Sequence, residues 1–553
     1  MKKTLILISI VILAAILRFW QLGVVPPSPD WDEAALGYNA YSLLKTGKDE
    51  YGTRWPLALR SFDDYKPPLY AYLAIPTVKY LGLSTYSVRL PAAINGVLGV
   101  IGAYFLTVAL LSLIETQKRK YTDITAVLPF MVMFLLAISP WHLQFSRIAF
   151  EANIGVTLNI WGLYFLLKSL TNGKYMPVSA LILGLGFYAY HSQRVFIPLL
   201  ILLAFIVFFK KFLSKWKYVL VSIFIGIIIV GPLLPVVFGK DGLTRLKGTS
   251  SLSDQTGLLA KSVSKLEDDL QNGNLMGLIW ENRRIVYIKT IAEGYLSHFS
   301  LKWLFLSGDN DRHHAPDTGL LYLWELPFLL WGMVVVIKRG GVIRNLLFGW
   351  LLLAPIAASP TSETPHAIRT LVTLPLLQVF TAFGLYSAYM YGKETIKHVT
   401  KQMRLVVFVI IVSSFVAAIC NIGYYFHMYY SHMNIEYSQF WQYGYKQAVE
   451  YTEAHKSKYK KIVVSTKLEQ PHMFYLFFMK YDPRLYLAGG GTASGGFAEV
   501  RNKFDVYEFR PINWPNELHD GSILYVGTPR EISTDPIYRI SFLNGFEAIR
   551  IAE

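Results

Sequence analysis

Residues 26–68 read PPSPDWDEAALGYNAYSLLKTGKDEYGTRWPLALRSFDDYKPP, with acids at Asp30, Asp32, Glu33, Asp49, Glu50, Asp63 and Asp64 and a lysine at Lys66. A carboxylate held beside a membrane and open to a cavity is suited to take a proton from a hydroxyl. Asp32 directly precedes a run with helical apolar spacing, Leu36, Ala40, Leu43 and Leu44, which Gly47 closes as a C′ residue. The spacing predicts Asp32 at the helix N-cap. Two roles are open there: a cap alone, or a general base held by the helix start. Three further constellations carry polar groups beside apolar runs, where they are costly and usually functional. Arg147 and Glu151 stand four apart, as an ion pair on one face of a helix start or as site residues. His191 and Arg194 stand at the mouth of a span, and His366 and Arg369 follow Pro365, which suits a first helical turn.

These groups are positioned by a chain that reads as polytopic. It has 553 residues, 53% hydrophobic and only 16% charged, against about 25% charged in a typical soluble domain. Apolar runs at 5–22, 88–113, 125–139, 154–170, 176–190, 195–209, 218–238, 319–337, 346–359, 370–391 and 405–425 give about eleven spans. Residues 69–83 are apolar but short, and Pro67, Pro68 and Pro76 interrupt them; they read as interfacial or re-entrant. The net charge of +16 gathers in short loops such as Lys118–Arg119–Lys120 and Lys210–Lys211. That is the positive-inside signature, and it excludes a nucleic-acid partner. The loops mixing His, Arg, Glu and Ser then fall on the outer side. Residues 1–20 resemble a signal peptide without a small-residue cleavage site and read as a retained first helix. The single cysteine, Cys420, excludes a disulfide within the chain and any site built on several thiolates.

Sidedness adds a physical point. Every inward-going helix starts on the outer face, near Arg147, Arg194 or Arg369 among others, and helix N-termini carry partial positive charge. Three arginines at such mouths read as an anion site, with a lipid phosphate as the natural occupant. Snorkelling at the interface is the plainer reading. The long outer loop, 239–318, has an amphipathic and aromatic middle that suits an interfacial helix. Within it His298, Asp309, His313 and His314 match no closed metal spacing, so they are read as substrate-cavity residues, with a divalent metal the less favoured reading. Residues 426–553 are a polar stretch on the outer side. A helix over 440–455, strands at 461–466 and 523–526, and a helix over 470–480 predict a small α/β domain.

The sequence resembles the GT-C superfamily of polyprenyl-phosphate-sugar glycosyltransferases. It is most similar to bacterial relatives of the dolichyl-phosphate-mannose protein mannosyltransferases and of the aminoarabinose lipid A transferase. The resemblance lies in DEAALGYNAYSLLKTG, YKPPLYAY, YSVRLPAAINGVLGV, SPWHLQFSRIAFE, AYHSQRVFIPLL and TPHAIRTLVTLP, which run across the membrane part in order. It implies a polytopic α-helical membrane domain over 1–425, including a first outer loop over 23–87 with juxtamembrane helices. An extracytoplasmic α/β domain follows over 426–553. It also implies inverting transfer of a sugar from a polyprenyl-phosphate lipid to an acceptor hydroxyl outside the plasma membrane. The acceptor classes are a protein, a glycolipid or a cell-envelope polymer, and no cofactor is required. The resemblance maps the catalytic acids onto the Asp32–Glu33 pair, with Asp32 the base, and onto Glu151. It places Lys66 near the donor phosphate, and the helix-mouth residues Arg147, Arg194, His366 and Arg369 are the further candidates for holding that phosphate. Asp63, Asp64, Tyr65, His191, His298, His313 and His314 would line the substrate cavity. One departure is visible: the lipid A transferases carry an acid directly before that lysine, and here Tyr65 stands there.

A secondary transporter or flippase is the alternative. It would show inverted repeats and ionisable groups near mid-bilayer. Here those groups crowd at the outer helix ends. A sensor or scaffold built on the C-terminal part leaves the membrane motifs without a role.

Overall fold

The computed structural model describes residues 2–62, 64–115, 122–239, 242, 248–493 and 502–553. Asp63 and the basic loop at 118–120 lie outside the described residues. The chain opens with helix α1 (Lys2–Phe19), then α2 (Trp31–Thr46), a two-stranded hairpin β1 (Leu59–Ser61) and β2 (Asp64–Lys66), α3 (Leu69–Leu81) and α4 (Thr85–Glu115). Then come α5 (Thr122–Ile138), the short α6 (Pro140–Phe145), α7 (Ala152–Ser169), α8 (Tyr175–Gly186), α9 (Gln193–Leu213) and α10 (Trp216–Val230).

Among the described residues five helices are long and apolar enough to cross a membrane: Thr85–Ile114, Gln193–Leu213, Trp216–Phe238, Leu371–His398 and Lys401–Glu436. Ala126–Ile138, Tyr175–Gly186 and Gly341–Leu353 are apolar but shorter. The last long helix leaves Phe408, Ile410 and Phe415 exposed, as expected of side chains that face lipid. The segment expected to be too short to cross is helix α3. Its 13 residues reach about 20 Å at 1.5 Å per residue, short of a core about 30 Å thick.

Glycine sets the closest approach between two of the buried helices. A Cβ on Gly332 would strike the Phe380 carbonyl oxygen, and one on Gly384 would strike that of Phe328. The helices Glu325–Arg339 and Leu376–His398 therefore pack backbone to backbone.

The C-terminal part holds a six-stranded sheet of β3 (Lys461–Val464), β4 (Lys503–Phe504), β5 (Tyr507–Phe509), β6 (Ile523–Gly527), β7 (Tyr538–Ser541) and β8 (Glu547–Ala552). Its order is β4-β5-β3-β6-β8-β7, with β3 parallel to both β5 and β6 and the outer pairs antiparallel. The predicted strands at 461–466 and 523–526 are present, and so is the helix over 470–480, at Pro471–Met479. The helix predicted from 440 starts at Tyr445, because Gly444 sits at φ 103, outside helical space.

This sheet part is fastened to α2. Tyr38 and Leu43 of α2 share one buried cluster with Phe474, Phe477 and Tyr486. A Cβ on Gly37 would come within 2.6 Å of Val88 Cγ2 and 2.7 Å of Phe477 Cε2. Gly37→Leu is therefore expected to cost about 1–3 kcal/mol through overpacking. A thermal melt in detergent checks this; an unchanged midpoint would mean that α2 and the C-terminal part are not in tight contact.

Candidate active site

The N-cap of α2 is Asp30, which corrects the assignment of Asp32. Asp30 Oδ1 accepts from the Glu33 N–H at 2.9 Å, and Glu33 Oε2 accepts from the Asp30 N–H at 3.3 Å. The D-x-x-E spacing is a capping box, so the cap lies two residues earlier than expected. Asp32 falls in the first turn, and its carboxylate is free of the capping role.

Glu33 faces a different way. Arg89 grips it through two parallel bonds, Nε to Oε1 and Nη2 to Oε2, both 2.8 Å, and the Ala149 N–H donates to Oε1 at 2.7 Å. The remaining Arg89 donors reach the carbonyls of Leu22, Pro26 and Ser28. Both side chains are buried, at 0% and 1% exposure. Glu33 thus braces the start of α2 to α4. The expected catalytic pairing of Asp32 with Glu33 separates into a cleft residue and a brace, because successive helical residues point about 100° apart.

Asp32 pairs with Lys66. The hairpin register sets Lys66 opposite Leu59, and Pro67 and Pro68 end the strand and begin α3. Asp32, Asp64, Lys66, Glu151, Tyr190 and His191 line one small cleft of about 80 Å³. Glu151 occupies the N-cap position of α7 and makes no capping bond, which leaves its carboxyl to the cleft. Burial, with Asp32 adding to it against the pull of Lys66, pushes Glu151 up to about 7. Burial and Asp32 likewise push Asp30 up to about 7, opposed by Arg312. Burial alone would lower Lys66; Asp32 and Glu151 outweigh it and hold the ammonium above its ordinary value. The cleft therefore contains a persistent cation between two carboxyls.

His191 connects this cleft to a larger space. Its Nε2–H donates to the Tyr65 carbonyl at 2.9 Å, so Nδ1 is left to accept from Arg194 Nη1 at 3.2 Å. Burial and the Arg194 charge lower its pKa to about 3, so the ring stays neutral. Tyr190 and His191 also line a cavity of about 630 Å³ that holds Tyr65, Arg194 and Arg369 and has apolar walls at Val236, Val237 and Ile356. Arg369 is held by Thr361 Oγ1 at 2.6 Å and the Ser362 carbonyl at 2.5 Å. An apolar groove of about 450 Å³ between α8, α9 and α10 is lined by Phe187, Ile197, Val230 and Leu234, close in sequence to the walls of that cavity. A carboxylate cleft thus adjoins an arginine-bearing cavity with apolar walls. Such an arrangement can take a proton at one end and hold an anion with a greasy tail at the other.

Several expected site residues lie elsewhere. Arg147 turns away to the carbonyls of Leu17, Arg18 and Val25 and to Tyr429 Oη, and stacks on the rings of Tyr429 and Tyr430. It pairs with no acid among the described residues, and α7 begins only at Ala152, so the expected helical pairing with Glu151 is absent. Pro365 precedes a turn and not a regular α-helix: residues 367–370 form the turn, a short 3-10 helix follows at Leu371–Thr373, and Leu376 opens the long helix behind Pro375. His298, His313 and His366 gather with Asp309 in a separate group. His314 donates to the Ala315 carbonyl. Among the described residues, Asp309, His313 and His366 form a group able to hold a metal.

Sequence reasoning missed Arg89, Asp30 as the cap, Tyr190 and Arg312. Arg312 donates to Asp30 Oδ2 at 2.9 Å and lies over the Trp31 ring. Arg89 had a usable signal, an arginine among apolar residues in SVRLPAA.

Glu151 carries a testable pH dependence. Its raised pKa means that the folded protein binds the proton more tightly than the unfolded chain does. Its contribution to stability is full below the ordinary carboxylate range and is lost as pH rises through about 7. Relative to the natural protein, Glu151→Gln should therefore gain stability between about pH 5 and pH 8. Parallel melts across that range give the answer; a constant difference would remove the burial argument.

No protein-family model and no curated protein sequence matches the chain. Solved structures do. ArnT from Cupriavidus metallidurans in the apo state matches at TM-score 0.54 and 12% identity, covering 100% of this chain and 98% of that one. The chain has the GT-C fold. ArnT bound to undecaprenyl phosphate matches at TM-score 0.53 and 10% identity, over 99% and 97% of the two chains. An oligosaccharyltransferase from Archaeoglobus fulgidus matches at TM-score 0.50 and 13% identity, over 86% of this chain and 63% of that one. At these identities the likeness is one of fold, and it agrees with the resemblance read from the membrane motifs.

Proposed function

We propose that the protein transfers a sugar from a polyprenyl-phosphate lipid to an acceptor hydroxyl at the outer face of the plasma membrane, with inversion at the anomeric carbon. The observation that carries this reading is the junction at Tyr190 and His191 between the cleft of Asp32, Lys66 and Glu151 and the cavity of Arg194 and Arg369. The undecaprenyl phosphate in one ArnT structure supports a lipid of that class. In this reading about eleven helices span the bilayer, and the sheet part over 426–553 stands outside.

The donor phosphate lies between Arg194 and Arg369, and its prenyl chain follows the apolar groove of α8, α9 and α10. Asp32, oriented by Lys66, takes the proton of the acceptor hydroxyl. The acceptor oxygen bonds to the anomeric carbon as the bond from that carbon to the phosphate oxygen breaks. The phosphate leaves with both electrons and is stabilised by the two guanidinium groups. Glu151, which burial pushes up to about 7, adds less repulsion to Asp32 than a carboxyl in the ordinary range would.

Arg194→Ala and Arg369→Ala are expected to weaken donor binding by about 1.5–3 kcal/mol each, roughly 10–150-fold, while the fold persists. Titration of purified protein with polyprenyl phosphate measures this. Unchanged affinity in both variants would withdraw the phosphate site.

A further inference from the structure

The long outer segment meets the loop ahead of the helix Leu376–His398 at a group separate from the Asp32 cleft. Asp309, His313 and His366 bring one ligand atom each to within 4.8 Å of one another. His313 and His366 are buried, at 4% and 8% exposure. Asp309 Oδ1 and His366 Nδ1 are buried and have no hydrogen-bond partner, a costly state for a polar atom that nothing satisfies.

The surroundings hold these groups in place. Asp309 Oδ2 accepts from the Ala367 N–H at 2.8 Å and from His313 Nδ1–H at 2.9 Å. His298 donates through Nδ1–H to the Gly294 carbonyl at 2.7 Å, so its Nε2 accepts from the His366 N–H at 3.2 Å. Thr370 Oγ1 donates to the His366 carbonyl at 2.8 Å. Ligand groups oriented by carboxylate and backbone partners are what metal sites require around them. Each neutral imidazole keeps one ring nitrogen with a lone pair, the form that a metal binds.

We propose that Asp309, His313 and His366 bind a divalent transition-metal ion of the zinc class, with water in the fourth position. Two imidazoles and one carboxylate suit zinc and disfavour magnesium and calcium, which take oxygen ligands. Ligands of a tetrahedral zinc sit about 2.0–2.2 Å from the ion, so modest side-chain rotation closes the set. The ion would act as a tether. On one side Arg312, between Asp309 and His313 in the chain, reaches Asp30 at the start of α2. On the other, Arg369 stands three residues beyond His366. The ion would therefore hold the cap of the Asp32 helix and the arginine of the larger cavity to one loop. This inference stands independently of the transfer reading.

An exposed histidine pair serves as the internal control. His427 Nε2 and His432 Nε2 lie 3.2 Å apart, with His432 Nδ1 on Glu436 at 2.7 Å. The full-length protein is stripped with chelator, loaded with zinc, dialysed, and its metal content measured by mass spectrometry. One zinc per chain is expected in the natural protein and in His432→Ala. In His366→Ala and His313→Gln zinc affinity should fall by more than the roughly 10–100-fold that an outer-shell change alone causes. Zinc should also raise the thermal midpoint of the natural protein, a readout that needs no variant to fold. A natural protein that retains no zinc overturns the site. So does zinc that stays in His366→Ala and His313→Gln but is lost from His432→Ala.

Discussion

Asp32→Asn should give a folded protein that binds donor lipid normally and transfers sugar roughly 10²–10⁴-fold more slowly, the usual worth of a positioned base. The capping box of Asp30 and Glu33 is intact in this variant, so the start of α2 should hold. Asparagine keeps the shape near Lys66 and loses the basicity together with the charge that faces the ammonium. The measurement is release of polyprenyl phosphate from sugar-charged lipid in membranes that contain the acceptor. The comparison with Glu151→Gln decides between Asp32 and Glu151. Near-normal transfer by Asp32→Asn, alongside its loss in Glu151→Gln, would move the base to Glu151.

Arg89→Ala should cost the fold itself. Removing one partner of a buried ion pair destabilises by about 3–5 kcal/mol, because the other charge is left uncompensated. Here Glu33 would be left at 1% exposure without its guanidinium partner. The carbonyls of Leu22, Pro26 and Ser28 would lose their donors as well. The expected result is a large drop in thermal midpoint and yield. Arg89→Met combined with Glu33→Leu should recover part of it, since an apolar pair of similar volume leaves no buried charge. A single Arg89→Ala variant as stable as the natural protein would mean that the brace contributes little.

The elements that position the site were legible where the signal is local. The α2 run closed by Gly47, the shortness of α3 and the strands at Lys461 and Ile523 all follow from periodicity and turn residues. The cap of α2 is legible too, in the D-x-x-E spacing, which competes with the acid nearer the apolar run, Asp32. What the sequence could not supply was direction. Arg147 and Arg194 both stand at helix mouths, yet only Arg194 reaches the cavity, because Arg147 is captured by Tyr429 and Tyr430 from the far end of the membrane part. The partner of Glu33 lies 56 residues away. The grouping of Asp309 and His313 with His366 is a contact between two segments far apart in the chain, invisible to any spacing rule along one segment.

In the proposed reaction the cavity holding Arg194 and Arg369 takes the phosphate of a prenyl lipid. This is tested most directly by native mass spectrometry of the protein released from its own membrane lipids. A bound species with the mass of a polyprenyl phosphate, or of its sugar-charged form, is expected on the natural protein and on Asp32→Asn. It should be lost when Arg194→Ala and Arg369→Ala are combined. A natural protein that carries no prenyl phosphate, or an arginine double variant that retains it unchanged, would contradict the account.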